Sequence, residues 1–164
     1  MTKRFWVKAL LALLPFVIAG LYFQSRFKVT VDRQLVTSLD ARVMVVDMQD
    51  TTPRKGEVFA FYAPESVAPV MKPGILMAKI FVAQPGDTVE VKPNKEITVN
   101  GEVKARGLAH LYGAPPQVLS RFYGKRTLKD DEWWVLGTNE WSFDSRYWGS
   151  VSAKNVFGRA YVLW

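Results

Sequence analysis

The fold is decided by the stretch Ile75-Leu76-Met77-Ala78-Lys79-Ile80-Phe81-Val82-Ala83, in which eight of nine residues are apolar. The turn sequence Gln84-Pro85-Gly86-Asp87 follows it, and a bounded apolar run of this length predicts a buried β-strand. Its charged residue is Lys79, and burial of an unpaired ammonium lowers the pKa of a lysine towards neutral pH. A neutral amine of this kind is a general base. The alternative is an edge strand, from which the Lys79 side chain reaches water.

Other short β-type runs, separated by Pro and Gly, occupy the chain after residue 29. They predict strands at residues 42–48, 57–62, 75–83, 88–92, 96–103, 133–137 and 155–163. Pro93-Asn94 separates two of these strands, and Asn100-Gly101 is typical of a tight turn. No long stretch after residue 29 has helical periodicity. The sequence therefore predicts a mainly β domain, either a small irregular barrel or two packed sheets.

The first 28 residues contain an apolar segment at residues 5–23 that is interrupted by Lys8. As a helix it spans about 28 Å, close to the thickness of the hydrocarbon core of a bilayer. This predicts a single membrane anchor, and the aromatic pair Tyr22-Phe23 at its end suits the interface. A cleaved signal peptide is the alternative, because Val17 and Ala19 are small residues at the spacing of a cleavage site. In both cases the rest of the chain is exported.

The net charge of +7 is concentrated around this apolar segment. Five of the 22 basic residues lie in residues 1–28, which contain no acidic residue. Residues 29–164 therefore contain the other 17 basic residues and all 15 acidic residues. The remainder is close to neutral and has no basic stripe interleaved with aromatic residues, which argues against nucleic acid as a partner. With no cysteine and one histidine, disulfides, cysteine zinc sites and histidine-rich metal sites are excluded, and we expect no cofactor.

Residues 104–131 mix glycine and proline with six basic residues, and we interpret them as a loop-rich insertion or flap. Their charge is more typical of a solvated face than of a ligand site. His110 lies in this segment without an identifiable partner. We therefore interpret it as a surface or loop histidine and not as a catalytic base.

Two further segments contain candidate site residues. Thr37-Ser38-Leu39 lies between the membrane segment and the first strand, where Ser38 is a candidate nucleophile or an ordinary turn serine. In residues 137–149 an extended backbone would place Ser142, Asp144 and Arg146 on one face. Asp144 and Arg146 could then pair and leave the Ser142 hydroxyl free for another hydrogen bond. The alternative is an ordinary loop with a salt bridge.

Taken together and in order, these segments resemble the conserved boxes of the type I (leader) signal peptidases, family S26. The matching segments are Ser38-Leu39, Lys79 with Pro85-Gly86-Asp87, Asn100-Gly101, Ser142-Phe143-Asp144-Ser145-Arg146-Tyr147-Trp148-Gly149 and Val156-Phe157-Gly158-Arg159-Ala160. The short chain, and Gly137-Thr138-Asn139 in place of the usual Gly-Asp-Asn, resemble the conjugative-transfer branch. That branch comprises the TraF-like peptidases, which mature pilin precursors.

The resemblance implies a mainly β catalytic domain at residues 29–164, on the periplasmic face of a bacterial inner membrane. Residues 1–28 would then be a cytoplasmic tip and a single-pass anchor in the lipid bilayer. The implied catalytic pair is Ser38 as nucleophile and Lys79 as general base, without metal or cofactor. Ser142 would orient the amine, and Asp144 and Arg146 would support that segment. The implied partner is a precursor protein with a leader peptide, which in the conjugative branch is a pilin.

The sequence departs from the family pattern around the nucleophile. Ser38 is followed by Leu39-Asp40-Ala41, where the family has Met-x-Pro. Val36 occupies a position that often carries a hydroxyl for the oxyanion, so the oxyanion hole would rest on the backbone N–H of Ser38, aided by Thr37. Loss of one oxyanion donor costs about a hundredfold in rate or more. Lys79 is followed by Ile80, where an arginine is common.

Two alternatives follow from these departures and from the chemistry of the pair. The chain could be a catalytically weak relative that serves as an assembly factor of a conjugative secretion system. It could also be a peptidase-type transferase, in which the amino terminus of the pilin replaces water and a cyclic product forms. The sequence motifs do not distinguish hydrolysis from cyclisation, and they give no oligomeric state.

Overall fold

The computed structural model describes residues 2–32 and 37–163 of the 164-residue chain. Within these ranges the helices are α1 (Lys3–Arg26), α2 (Pro116–Leu119) and α3 (Ser145–Trp148). The strands are β1 (Phe27–Val31), β2 (Val43–Asp47), β3 (Val58–Tyr62), β4 (Leu76–Ala83), β5 (Thr88–Val91), β6 (Glu96–Val99), β7 (Glu102–Arg106), β8 (Gly124–Thr127), β9 (Glu132–Leu136), β10 (Val151–Ser152) and β11 (Val156–Val162). Short 3₁₀ turns lie between several of them.

The strands form two antiparallel sheets. The larger sheet has seven strands in the order β1-β2-β11-β3-β4-β9-β10, and the smaller sheet has four in the order β7-β6-β5-β8. Of the two predicted architectures, the structure therefore has the two sheets. The prediction of a mainly β fold is confirmed.

Strand β4 is confirmed as a central strand, with β3 on one side and β9 on the other. Its side chains alternate between two buried layers. Phe81 packs in a cluster with Phe59 and Phe61, with ring centroids 5.4 Å and 5.8 Å apart, whereas Ala78 and Ile80 pack against a second cluster. Lys79 is only 2% exposed, so the alternative in which its side chain reaches water is wrong.

Most predicted strands agree with the structure to within one residue at each end. The exception is residues 96–103, which form two strands, β6 and β7, joined at Asn100-Gly101. Asn100 and Gly101 have positive φ angles of 52° and 86°, as a type I′ hairpin turn requires. The Asn-Gly pair therefore predicted the turn more accurately than the alternation of apolar and polar residues did. That alternation continues across so short a turn and does not mark it.

The segment 104–131 has more regular structure than the predicted loop-rich insertion. It contains the end of β7, the short helix α2 and the strand β8, which pairs with β5 and completes the smaller sheet. Leu108 and Leu128 in this segment are buried. Its basic residues are exposed, as expected for a solvated face, and they are Lys104, Arg106, Arg121, Lys125, Arg126 and Lys129.

Helix α1 extends the predicted apolar segment at both ends and is long and apolar enough to cross a membrane. It continues directly into β1, which pairs with β2. The Arg26 guanidinium lies 2.7 Å from the Asp47 carboxylate, and the backbone N–H of Met48 donates to the Arg26 carbonyl. The end of the helix is therefore fixed to the larger sheet.

Candidate active site

Lys79 is buried in the middle of β4, with only 2% of its surface exposed, opposite Phe59 of the neighbouring strand. Burial lowers the pKa of Lys79 from 10.5 to about 8, because the charged ammonium loses its hydration. The negative charges of Asp144 and Asp32 act in the opposite direction, and the charge of Arg146 lowers the pKa further. A substantial fraction of this amine is thus neutral near pH 8.

Ser38 and Lys79 line the same cavity, which has a volume of about 470 Å³. The cavity walls are otherwise mainly apolar and include Leu39, Met44 and Ala60. The structure thus brings together the two residues that the sequence predicts as nucleophile and base, although they are 41 positions apart. No hydrogen bond joins their side chains among the described residues.

The backbone around Ser38 is held by the segment that follows β9. The Ser38 carbonyl accepts a hydrogen bond from the Thr138 N–H at 2.9 Å, and the Thr37 carbonyl accepts one from the Asn139 side-chain amide at 2.6 Å. Thr138 Oγ1 also donates to the Asp40 carboxylate at 3.1 Å. Sequence reasoning missed these contacts, and their signal was the polar triplet Gly137-Thr138-Asn139 directly after a buried strand.

The oxyanion prediction falls partly outside the described residues, because Val36 is not among them. Thr37 and Ser38 are described, and both are partly buried. The assignment of the Ser38 N–H and of Thr37 to the oxyanion hole stays a prediction.

Residues 142–146 do not form the continuous extended segment considered from the sequence, because helix α3 begins at Ser145. Asp144 caps the amino end of α3, where its carboxylate accepts a hydrogen bond from the Arg146 N–H at 3.2 Å. An aspartate in this position satisfies an N–H group that the first helical turn leaves without a partner, which favours a helix over a strand.

The predicted pairing of Asp144 with Arg146 is confirmed, with both side chains fully buried. Two hydrogen bonds of 2.8 Å and 2.7 Å join the guanidinium to the carboxylate. Arg146 also donates to three backbone carbonyl groups, those of Gly107, Asn139 and Ser142. The guanidinium therefore ties together segments from both sheets.

Ser142 lies beside the backbone of Ser38 across Gly137. A Cβ atom added at Gly137 would lie 2.2 Å from Ser142 Oγ and 2.4 Å from the Ser38 carbonyl oxygen, so only glycine fits there. The Gly137 N–H donates to Asp144 at 2.9 Å. Ser142 Oγ is buried and has no hydrogen-bond partner among the described residues. Its predicted bond to the Lys79 amine stays a prediction.

One side of β4 is open beside this cavity. Pairing between β4 and β9 begins at Ile80, so no described strand pairs with residues 76–79 on that side. The same four residues line the cavity with Thr30, Val31 and Asp32. An extended peptide could pair with this open edge as an additional strand.

A second cavity of about 790 Å³ lies on another side of Ser38. His110 is at its wall, where its Nε2–H donates to the Trp141 carbonyl at 2.8 Å and its backbone N–H donates to the Tyr147 hydroxyl. His110 is exposed, as predicted, and its ring packs on Tyr147 with centroids 5.0 Å apart. The partners that the sequence did not reveal are thus aromatic residues of the segment 141–147.

Comparisons with known proteins agree with these features. The family model described as signal peptidase, peptidase S26 matches residues 3–164. The chain is 32% identical to a probable signal peptidase I-2 of Synechocystis sp. over 67% of this chain and 47% of the relative. It is 26% identical to signal peptidase I of Pseudomonas aeruginosa over 77% of this chain and 52% of the relative.

The chain spans about half the length of these curated relatives. A solved signal peptidase I from Enterococcus faecalis V583 is similar with 26% identity and a TM-score of 0.42, and the match covers 68% of this chain and 97% of that chain. The family model, in contrast, matches nearly every residue from the membrane segment to the last strand. The chain therefore belongs to the signal peptidase, peptidase S26 family.

Proposed function

We propose that this protein is a membrane-bound serine endopeptidase that removes leader peptides from exported precursors, with Ser38 as nucleophile and Lys79 as general base. The observation that carries the proposal is the shared cavity, in which a buried lysine with a pKa lowered to about 8 lies with a serine. Membership of the signal peptidase family supports the same activity.

In the first step the neutral Lys79 amine accepts the proton of Ser38 Oγ as that oxygen attacks the scissile carbonyl carbon. The backbone N–H of Ser38, aided by Thr37, stabilises the negative oxygen that forms. Lys79 then gives the proton to the leaving amine, the C–N bond breaks, and the leader remains on Ser38 as an ester. Ser142 is the candidate for orienting the lysine amine.

In the second step water attacks the ester carbon. Lys79 takes a proton from that water and returns it to Ser38 Oγ when the ester bond breaks, so the enzyme is regenerated and the leader leaves as an acid. The ion pair of Asp144 and Arg146 keeps the segment beside Gly137 in place, which holds Ser142 near the site. The two steps use groups of this chain, the substrate and one water.

The open edge of β4 gives the leader a place to bind. Residues 76–79 have unused backbone positions on the cavity side, and an extended leader would pair with them. The cavity walls formed by Leu39, Met44 and Ala60 are apolar, so small apolar side chains next to the cut would suit them. We include pilin precursors of a conjugative system as the substrate, on the resemblance to the TraF-like branch.

Helix α1 is the proposed anchor in the bacterial inner membrane. In this arrangement the residues before the helix are cytoplasmic, and residues 29–164 form the catalytic domain on the periplasmic face. Lys3, Arg4 and Lys8 lie before or near the start of the apolar segment, and Arg26 and Lys28 follow it, which gives only a slight basic excess on the cytoplasmic side. The direct passage from α1 into β1 would hold the site close to the lipid surface.

The test is processing of a co-expressed candidate pilin precursor in membranes that contain wild-type protein or Ser38→Ala at matched levels. We expect cleavage by the wild type and none by Ser38→Ala. Ser120→Ala is the matched control, because Ser120 is an exposed serine that lines neither cavity. Unchanged processing by Ser38→Ala would overturn the assignment, and absent processing by all three proteins would favour the assembly factor.

The same experiment separates hydrolysis from cyclisation. Hydrolysis adds one water across the cleaved bond. Cyclisation requires a cut at the carboxyl end of the pilin, so that the pilin is the acyl group on Ser38 and its own amino group replaces water, which gives a product lighter by one water. The intact mass of the mature pilin distinguishes the two. A linear product carrying water excludes the transferase.

A further inference from the structure

We propose that the second cavity binds the residues that follow the scissile bond and selects apolar or aromatic side chains among them. This inference rests on the proposed function, since it assigns the part of the substrate that becomes the mature protein. Its wall includes Ser38, Met71, Met77, His110, Trp141 and Tyr147. We call it the aromatic cavity, and the cavity that contains Lys79 the lysine cavity.

The two cavities meet at the nucleophile. Ser38, Met71 and Met77 line both, whereas Lys79 lines the lysine cavity alone. A peptide whose scissile carbonyl lies at Ser38 Oγ extends from that point in two directions. One half of the substrate therefore occupies the lysine cavity, and the other half meets the aromatic cavity.

The position of helix α1 indicates which half of the substrate binds in which cavity. Thr30, Val31 and Asp32 form one wall of the lysine cavity and lie at the end of β1, which follows α1 directly. From Arg26 to Thr30 the strand covers only about 13 Å. A leader whose apolar part lies in the membrane beside α1 reaches the lysine cavity first, and the open edge of β4 is there to pair with it. The residues after the cut then continue into the aromatic cavity.

The walls of the aromatic cavity indicate the chemistry of its occupant. None of the residues that line it is an aspartate, glutamate, lysine or arginine. Phe143 and Tyr147 stack with centroids 5.6 Å apart, and Tyr147 also contacts the rings of His110 and Phe122. A volume of about 790 Å³ accommodates more than one large side chain. Apolar and aromatic residues would release water from these walls, whereas a charged residue would lose its hydration without an ionic partner.

A charged residue introduced into the wall of the aromatic cavity tests this assignment. Val70 lines it and is 74% exposed, so a glutamate in its place leaves the packed core unchanged. Val103 is the matched control, because it is a partly exposed valine on β7 that lines neither cavity. Full-length protein in detergent would be assayed with precursor peptides that share one leader and differ in the first three residues after the cut. Each of those positions would carry Phe, Lys or Asp in turn.

We expect the wild type to cleave the Phe peptides with higher kcat/KM than the Lys or Asp peptides. Val70→Glu should raise the ratio of kcat/KM for Lys over Asp at one of these positions about tenfold, because unlike charges attract and like charges repel across the cavity. Val103→Glu should leave that ratio as in the wild type. As an independent variant, Trp141→Ala should reduce the preference for Phe, since Trp141 is a half-exposed part of the wall.

The outcomes distinguish this inference from the proposed function. If all proteins cleave and neither Val70→Glu nor Trp141→Ala changes any preference after the cut, the aromatic cavity does not bind this half, although the peptidase assignment stands. If the wild type cleaves no peptide, the proposed function fails and this inference fails with it.

Discussion

In the proposed mechanism, the burial of Lys79 makes the rate of cleavage depend on pH in a defined direction. The amine is a base only when neutral, and burial lowers its pKa to about 8. We expect kcat/KM to rise about tenfold per pH unit below that pKa and to level off above it. The measurement is kcat/KM between about pH 6 and about pH 10 with a peptide that has no titrating group in this range. A profile that falls across this interval would show that a protonated group is required instead.

The same burial predicts that Lys79→Met stabilises the fold at neutral pH. The pKa is 10.5 for an ordinary lysine and about 8 in the folded protein, so below pH 8 the folded state holds a charge that it accommodates poorly. Wild-type stability therefore rises between about pH 8 and about pH 10.5, where the unfolded chain binds the extra proton. Methionine has a similar shape and no charge.

We expect Lys79→Met to be more stable than the wild type by about 3 kcal/mol at pH 7, and this difference to shrink as the pH rises from about 8 to about 10.5. Urea unfolding in detergent at both pH values measures it, with Lys129→Met as an exposed control. A difference that is constant with pH would show that the lysine charge is not the cause. The variant should have no peptidase activity.

The burial and pairing of a residue could be predicted where residues close to it in the sequence determine them. Eight apolar neighbours suggested burial of Lys79, with an edge strand as the alternative, and the structure has it buried. Asp144 and Arg146 pair as suggested, although across a helix cap and not along an extended strand. The contact of Thr138 with Asp40 could not be predicted, because it joins residues 98 positions apart. Such a contact depends on where the fold places the end of β9 relative to Ser38, and no local sequence pattern predicts that position.

Hydrogen bonds join the loop that carries Ser38 to the segment that follows β9. Asp40 occupies the variable position of the family's serine box, and Thr138 stands where the family has aspartate. The Thr138 hydroxyl donates to Asp40, and its N–H donates to the Ser38 carbonyl. This contact fixes the loop of Ser38, the proposed nucleophile, and that loop lacks the family's proline.

We therefore expect Thr138→Val to lower kcat about tenfold with little change in KM, because the side-chain bond is lost while the backbone bond remains. Valine keeps the shape of threonine, and stability should fall by no more than about 1 kcal/mol. Thr138→Ser retains a hydroxyl and serves as the control that restores the rate. Equal losses in both variants would show that the methyl group, and not the hydrogen bond, positions the loop.

At the scale of elements, apolar strands could be predicted and polar ones could not. β4 and β9 are rich in buried apolar residues, and their ends were predicted to within one residue. β8 has the sequence Gly-Lys-Arg-Thr, and all four of its residues are exposed. It is an edge strand held by backbone pairing with β5, so no hydrophobic alternation marks it. The helical turn α3 was missed because its cap depends on the backbone at Asp144.

The whole molecule joins an apolar helix to a β domain without an intervening linker. Arg26, the last residue of α1, pairs with Asp47 of β2, and β1 begins at the next residue. Val17 and Ala19, the positions that suggested a signal peptide, lie inside the helix and ahead of this contact. A cut there would leave the last turns of the helix, with their exposed apolar surface, on the mature domain.

We expect the chain to remain in the membrane with its amino-terminal segment uncleaved. Membranes washed with alkaline carbonate should retain the protein, because about 28 Å of apolar helix is removed from lipid only at great cost. The intact mass of the extracted protein should include residues 2–28, and protease added to spheroplasts should digest residues 29–164 while the membrane segment is protected. A species that begins after Ala19 would show instead that the segment is a signal peptide. Inside-out vesicles are the control for orientation, since in them the β domain should resist the protease.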